Sequence, residues 1–381
     1  MQPFGVMIGL HIDHIGRIDE ELLISAIRKT LTATAVATAV LAGSAACGTV
    51  ENLSAGQKLD QAFEKLGEKR SLSFELDLDT DAASLKALDA GAEPGEEIPE
   101  ELAELLSDAR VSLSVRSKKP LGESGEKDLD GMALKFGGPD GDLFEYRLVG
   151  DYTYVRADLD AVGRMSGSPM PSADELPDSA GAFKKLLAGE WIKISTKEVE
   201  EAGGRMSGAE GAEDGEPSAD PTLDAKTQKK LTKALRQVIA KEVDFKTSDG
   251  PDGTEHIEAT APFRTLMTEL TGKLAPLAEE LPPGAELPTA EDFKDAPNKK
   301  VTADFTLKNG ELTEVSIDLA ELAEKAKVKK FALVLRLGGG EKATAPANAT
   351  EVRVEELMEG FFGGFAAGAL GEEAFMEGTE V

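Results

Sequence analysis

The fold is decided by the stretch Val301-Thr-Ala-Asp-Phe305-Thr-Leu307-Lys-Asn309-Gly310-Glu-Leu312-Thr-Glu-Val315-Ser-Ile317-Asp-Leu319. Val301, Ala303, Phe305 and Leu307 alternate with polar residues, and so do Val315, Ile317 and Leu319. Side chains along a strand point alternately to opposite faces, so this pattern predicts two strands, each with one buried and one wet face. Asn309-Gly310 between them is the pair that most readily adopts positive φ, which a two-residue hairpin turn needs.

Working outward, the same alternation recurs. C-terminal to the hairpin, Phe331, Leu333, Leu335 and Leu337 predict a further strand ahead of Gly338-Gly-Gly340. On the N-terminal side it appears at Leu72/Phe74/Leu76/Leu78, Val111/Leu113/Val115 and Met132/Leu134/Phe136. It returns at Phe144 to Val149, Tyr152 to Val155, Trp191 to Ile194, Val243/Phe245 and Thr254 to Thr260. Helical spacing instead marks Leu59, Ala62, Phe63 and Leu66 after a capping box at Ser54-Ala-Gly-Gln57. It also marks Leu231, Leu235, Val238 and Ile239, and Leu266, Leu270 and Leu274 behind Pro262. Alternation without solid apolar runs predicts an α+β fold, an antiparallel sheet with one wet face and helices packed on the other.

The 381 residues carry 42 Lys plus Arg against 71 Asp plus Glu, a formal charge of −29. Such a surface repels phosphate backbones, which argues against nucleic acid. It argues equally against electrostatic adhesion to anionic headgroups, so attachment to a membrane is expected to be hydrophobic or covalent. Catalytic material is sparse. His11 and His14 lie in the N-terminal segment, and His256 is the remaining histidine, in a polar strand-like run. One histidine and one cysteine do not make a zinc site, and no carboxylate pair has a glycosidase or metal-loop spacing. No enzyme activity, metal or cofactor is expected.

Cys47 is the only cysteine. Arg28 and Lys29 precede an uncharged Ala, Val, Leu and Thr stretch from Leu31 to Ala42, then small residues up to Cys47. Positive charge, short apolar helix and small-residue site is the order of an export signal, and the stretch is short for a bilayer span of about 20 residues. Residues 25–46 are therefore read as a signal peptide. Residues 1–24 place Asp19-Glu20-Glu21 where a signal wants base, and are set aside as a non-native or misassigned extension. Ala45-Ala46-Cys47 resembles the end of a bacterial lipobox, with Ser44 where leucine is usual. That resemblance implies a diacylglycerol on the Cys47 thiol, cleavage before it, and a lipid-anchored protein on the extracytoplasmic face of the cell membrane.

Residues 47–355 form the expected domain, interrupted by acidic stretches at about 163–181, 203–220 and 276–298 that read as disordered excursions. The tail 356–381 holds Phe361-Phe-Gly-Gly-Phe-Ala-Ala-Gly-Ala-Leu370, apolar but far too short to span a bilayer.

Several phrases carry a family resemblance: Gly150-Asp-Tyr-Thr-Tyr-Val-Arg156, Gly189-Glu-Trp-Ile-Lys-Ile194, Asp252-Gly-Thr-Glu-His-Ile257, the hairpin itself, Leu333-Val-Leu-Arg-Leu337 and Ala345-Pro346. In this order, behind a lipidated N-terminus, they resemble actinobacterial lipoproteins of the LppX/LprG type, related to the periplasmic carrier LolA. The resemblance implies a curved antiparallel half-barrel with helices on its concave face. It also implies a cavity for acyl chains or lipidated glycans. The alternative is an envelope lipoprotein that binds a protein partner and has a packed core without ligand; the same alternating leucines serve both.

Overall fold

In the computed structural model, Asn309 and Gly310 both have positive φ, 55° and 71°. This is the left-handed geometry whose twist matches the flanking strands. They join β9 (Lys300–Lys308) to β10 (Glu311–Asp318), with Glu311 opposite Lys308 and Val315 opposite Phe305. The structure describes residues 50–89, 97–125, 128–139, 141–165, 176, 180–199, 202, 225–276, 288–326, 328, 330–340 and 342–357.

The other strands are β1 (Ser71–Asp79), β2 (Arg110–Ser117), β3 (Leu129–Gly138), β4 (Gly141–Val149), β5 (Tyr152–Ala157) and β6 (Ile192–Ser195). They are followed by β7 (Asp244–Asp249), β8 (Thr254–Pro262), β11 (Ala332–Gly338) and β12 (Thr350–Glu351). Among the described residues these twelve make one open sheet in the order β12-β6-β5-β4-β3-β2-β1-β11-β10-β9-β8-β7. Two antiparallel meanders, β1 to β6 and β7 to β11, meet where β1 pairs with β11. The last strand departs from the expected pattern: β12 runs parallel to β6.

Register makes the two faces. Leu72, Phe74 and Leu76 stand opposite Val115, Leu113 and Val111, which stand opposite Met132, Leu134 and Phe136. Those face Leu148, Tyr146 and Phe144 on β4, and the row ends at Ile192 and Ile194. In the other direction Leu76 pairs with Leu335, Leu335 with Val315, Val315 with Phe305 and Phe305 with Ile257. Directly opposed residues point the same way, so these ten strands, β1 to β6 and β8 to β11, share one apolar face. The reverse face carries Arg116, Lys135, Glu145, Arg147, Arg156, Arg336, Glu314, Asp304 and His256.

The helices are α1 (Val50–Glu68), α2 (Ala82–Leu88), α3 (Glu100–Asp108), α4 (Leu159–Met165), α5 (Gly181–Leu187), α6 (Ala225–Glu242) and α7 (Phe263–Leu274). α1 starts at Val50, ahead of the predicted box, so Ser54 lies inside the helix. Ala55, Leu59, Ala62 and Leu66 form its buried stripe and pack on Leu72, Phe245, Ile257, Leu307 and Leu312. α2 and α3 are not legible as alternation or long periodicity. Asp81 starts α2 by accepting the Ser84 amide at 2.7 Å. Within the stretch read as the third acidic excursion, Ala290–Phe293 forms a 3-10 turn, with Phe293 buried edge-on against Phe263.

After β11 the chain crosses the polar face. Gly340 permits this, since a Cβ there would sit 2.7 Å from the Leu72 carbonyl oxygen. Thr344 then accepts a hydrogen bond from Arg147 at 2.9 Å. Glu351 accepts one from Lys193, which holds that ammonium's pKa above its ordinary value.

Candidate functional site

The apolar face is not covered evenly. Beneath α1, Leu72 is 2% exposed and Leu307 1%. A few residues along the same strands the cover stops. Leu76 and Leu78 of β1 are half-buried, as are Leu333 and Leu335 of β11, Ile317 of β10 and Ala303 of β9. Val111 of β2 is 36% exposed, a large apolar side chain open to solvent. Register places these residues in one strip. Val111 is opposite Leu76 and Leu76 opposite Leu335; Leu78 is opposite Leu333, Leu333 opposite Ile317 and Ile317 opposite Ala303. Five adjacent strands at the usual spacing make this strip about 20 Å wide.

Helices border the strip without filling it. α3 lies over β1 and β3. There Leu105 packs with Leu143 and Phe136, and the register of β3 against β4 shifts between Phe136 and Gly137. On the other flank α7 rests on β8 and α6. Its Leu266, Met267, Leu270 and Leu274 fall on one side of the helix, and all four are only half-buried. This half-open strip, with α3 packed on β1 and β3 and α7 on β8, is read as an apolar groove, the kind of surface that gains from covering by a hydrocarbon chain.

On the reverse face sits a charged cluster. The Glu145 side chain is 2% exposed and takes hydrogen bonds from Arg147 at 2.8 Å (Nε) and 2.6 Å (Nη2). Lys135 and Arg156 stand 3.5 Å away. Arg147 and Arg156 both lie over the Trp191 ring, at 4.7 and 5.3 Å from its centre. Sequence reading missed this cluster, because nothing in a chain of 71 carboxylates distinguishes one that is buried. His256 is also on this face. Its Nδ1 is 2.9 Å from Asp304 Oδ1, and the Thr306 hydroxyl approaches the same nitrogen at 3.4 Å. A proton relay needs the carboxylate and the hydroxyl on different ring nitrogens, so this arrangement is a cross-strand hydrogen-bonded contact.

Cys47 lies outside the described residues, as do residues 1–24, the signal segment 25–46, most of the first two acidic excursions and the tail beyond Leu357. Among the described residues no group of three or more His, Cys, Asp or Glu could hold a metal ion, and no helix is long and apolar enough to cross a membrane.

No family model matches the chain, and no curated protein matches it. Among solved structures there is a likeness. The chain is similar to lipoproteins of the LppX type. Lipoprotein LppX of Mycobacterium tuberculosis aligns over 76% of this chain and 97% of its own length, at 11% identity and a TM-score of 0.27. LprF from Mycobacterium bovis aligns over 78% of this chain and 97% of its own, at 10% identity and a TM-score of 0.31.

Proposed function

We infer that the protein is an exported lipoprotein, tethered by a lipid on Cys47 to the outer face of the cell membrane, and that it holds hydrophobic acyl chains in the groove. One observation carries the ligand: the strip from Val111 to Ala303 is continuous, apolar and half-open, in a protein whose sheet is otherwise sealed where α1 covers it. An acyl chain laid there gains about 0.8 kcal/mol per methylene removed from water. No covalent chemistry is required of the site. The Cys47 tether is supported by the order of basic residues, apolar stretch and small residues before a lone cysteine.

Native mass spectrometry of protein purified from membranes tests the ligand. Acyl lipid bound to the protein, separate from the anchor, is the expected result. A protein repeatedly free of lipid, with the groove taken up by another protein, supports the partner-binding alternative instead. Cys47→Ala tests the tether separately: it should release the protein or leave the precursor uncut, and unchanged membrane retention refutes the anchor.

A further inference from the structure

We propose that Leu105 is the stop that sets how long an acyl chain the strip accepts, the chain lying across the strands with its methyl end against this residue. The inference rests on the reading of the strip as an acyl-chain site and adds to it a limit on the ligand's length.

The strip is long and narrow. Across the five strands from Val111 to Ala303 it runs about 20 Å. Along the strands it is two residues deep, from Leu76 to Leu78 on β1 and from Leu335 to Leu333 on β11, about 7 Å. Beyond that depth Phe74, Leu337, Val315 and Phe305 already pack against the cluster under α1. A helix with its side chains is about 10–12 Å across, wider than such a strip; an extended hydrocarbon chain is not. Carbon–carbon bonds of about 1.5 Å advance an extended chain roughly 1.3 Å per carbon, so about 15 carbons fill the length.

The two ends differ. At the β2 end Val111 is 36% exposed, and Phe136, opposite it on β3, packs against a sealed cluster. That cluster is Leu105 of α3 with Leu143 and Ala161, which are 6%, 4% and 6% exposed. Gly138 lets α3 come this close: a Cβ there would lie 2.7 Å from Leu105 Cδ1 and 3.1 Å from Leu143 Cδ1. A closed apolar wall thus stands one strand beyond an open apolar floor, and a chain laid over Val111 ends at Leu105. At the other end Ala303 stands opposite Ala259 of β8, and both are half-buried, as are Leu266 and Leu270 of α7. This flank stays partly open, so the polar end of the ligand belongs here. Each methylene withdrawn from water is worth about fourfold in affinity. Once the methyl end meets the stop, added carbons extend past the open end and gain nothing.

The test uses the full chain carrying Cys47→Ser, so that no anchor contributes acyl groups. Dodecanoic, hexadecanoic and eicosanoic acids compete for it, and native mass spectrometry reads which is bound. Hexadecanoic acid should exceed dodecanoic by at least about tenfold, and eicosanoic should exceed hexadecanoic by less than about twofold. Leu105→Ala should remove the plateau, with eicosanoic acid favoured by at least about fivefold. Leu59→Ala, which loosens the core under α1 instead, should leave the plateau in place. Lysophosphatidylcholines with the same three chains should level off at the same length, because the length is read from the methyl end. Affinity that keeps rising through eicosanoic acid in the parent overturns the stop while leaving the acyl-chain reading intact. So does a plateau that Leu105→Ala leaves unmoved, that Leu59→Ala moves equally, or that shifts with the headgroup. A parent that binds none of the probes overturns both. The parent's own length profile needs no variant, so a Leu105→Ala chain that fails to fold leaves the stop testable.

Discussion

Leu72 and Leu76 lie on the same face of β1, four residues apart, and differ only in what is above them. Leu72 sits under α1 and is sealed; Leu76, further along the strand, is half-open. The same contrast separates Leu307 from Ala303 on β9. One alternating pattern thus produces a close-packed core at one end of the sheet and a groove at its centre. The floor is common to both; the helices decide which part of it becomes core.

The largest expected difference comes from truncating each end. Leu59→Ala, in the buried stripe of α1, removes a side chain with 0% exposure and should cost about 2–5 kcal/mol in denaturant unfolding. Leu76→Ala should cost about 1 kcal/mol or less, because its site already opens to solvent. Equal costs at the two positions would erase the distinction between core and groove.

Glu145→Ala probes the sheet from the other face. It leaves Arg147, Lys135 and Arg156 without their common buried carboxylate, and a loss of about 1–3 kcal/mol is expected, moderated because those cations are partly solvated. Since Glu145 points away from the groove, lipid occupancy should not change.

Gly310→Ala is smaller, about 1 kcal/mol, from forcing an L side chain into positive φ in the hairpin turn beside α1. It should lower the unfolding midpoint without altering what the groove holds.

The smallest effect is pH-dependent and should fall on the groove's flanks. Amide hydrogen bonds from Ser84 and Thr289 hold the Asp81 and Asp292 carboxyls below their ordinary pKa. The stability they add is therefore full above the ordinary carboxylate range and is lost as pH falls through their depressed values. Asp81 caps α2, and Asp292 caps the 3-10 turn that carries Phe293 against α7. Hydrogen exchange in acid should rise at residues 84–88 and 290–296 before it rises at 55–66. The reverse order would contradict the contrast.

Much of the sheet could be read from the chain. Alternation placed the strands from β1 to β11, and Asn309-Gly310 set the turn and with it the register of the cleanest hairpin. Strand β12 was illegible because two residues carry no periodicity, and its pairing depends on where the segment after Gly340 lands. α2 and α3 were illegible because they are short and flanked by acidic residues, so local composition resembles a loop. The groove was half legible. Leu76 and Leu335 announce an apolar face, but whether a helix covers them is a tertiary fact that no local pattern records. The cluster around Glu145 and Trp191 is made by the register of the consecutive strands β3, β4 and β5 and by where Trp191 lands, which no local pattern records. The Cys47 reading stays where the sequence put it, outside the described residues.

The most direct test of the central claim is a comparison of bound acyl lipid, measured by native mass spectrometry, between the parent protein and Val111→Lys. Val111 is exposed, so a lysine there should change stability by less than about 1 kcal/mol while placing a charge in the groove. The account predicts lipid on the parent and its loss from a variant that unfolds at nearly the same denaturant concentration. Equal lipid on both, or none on either, would contradict it.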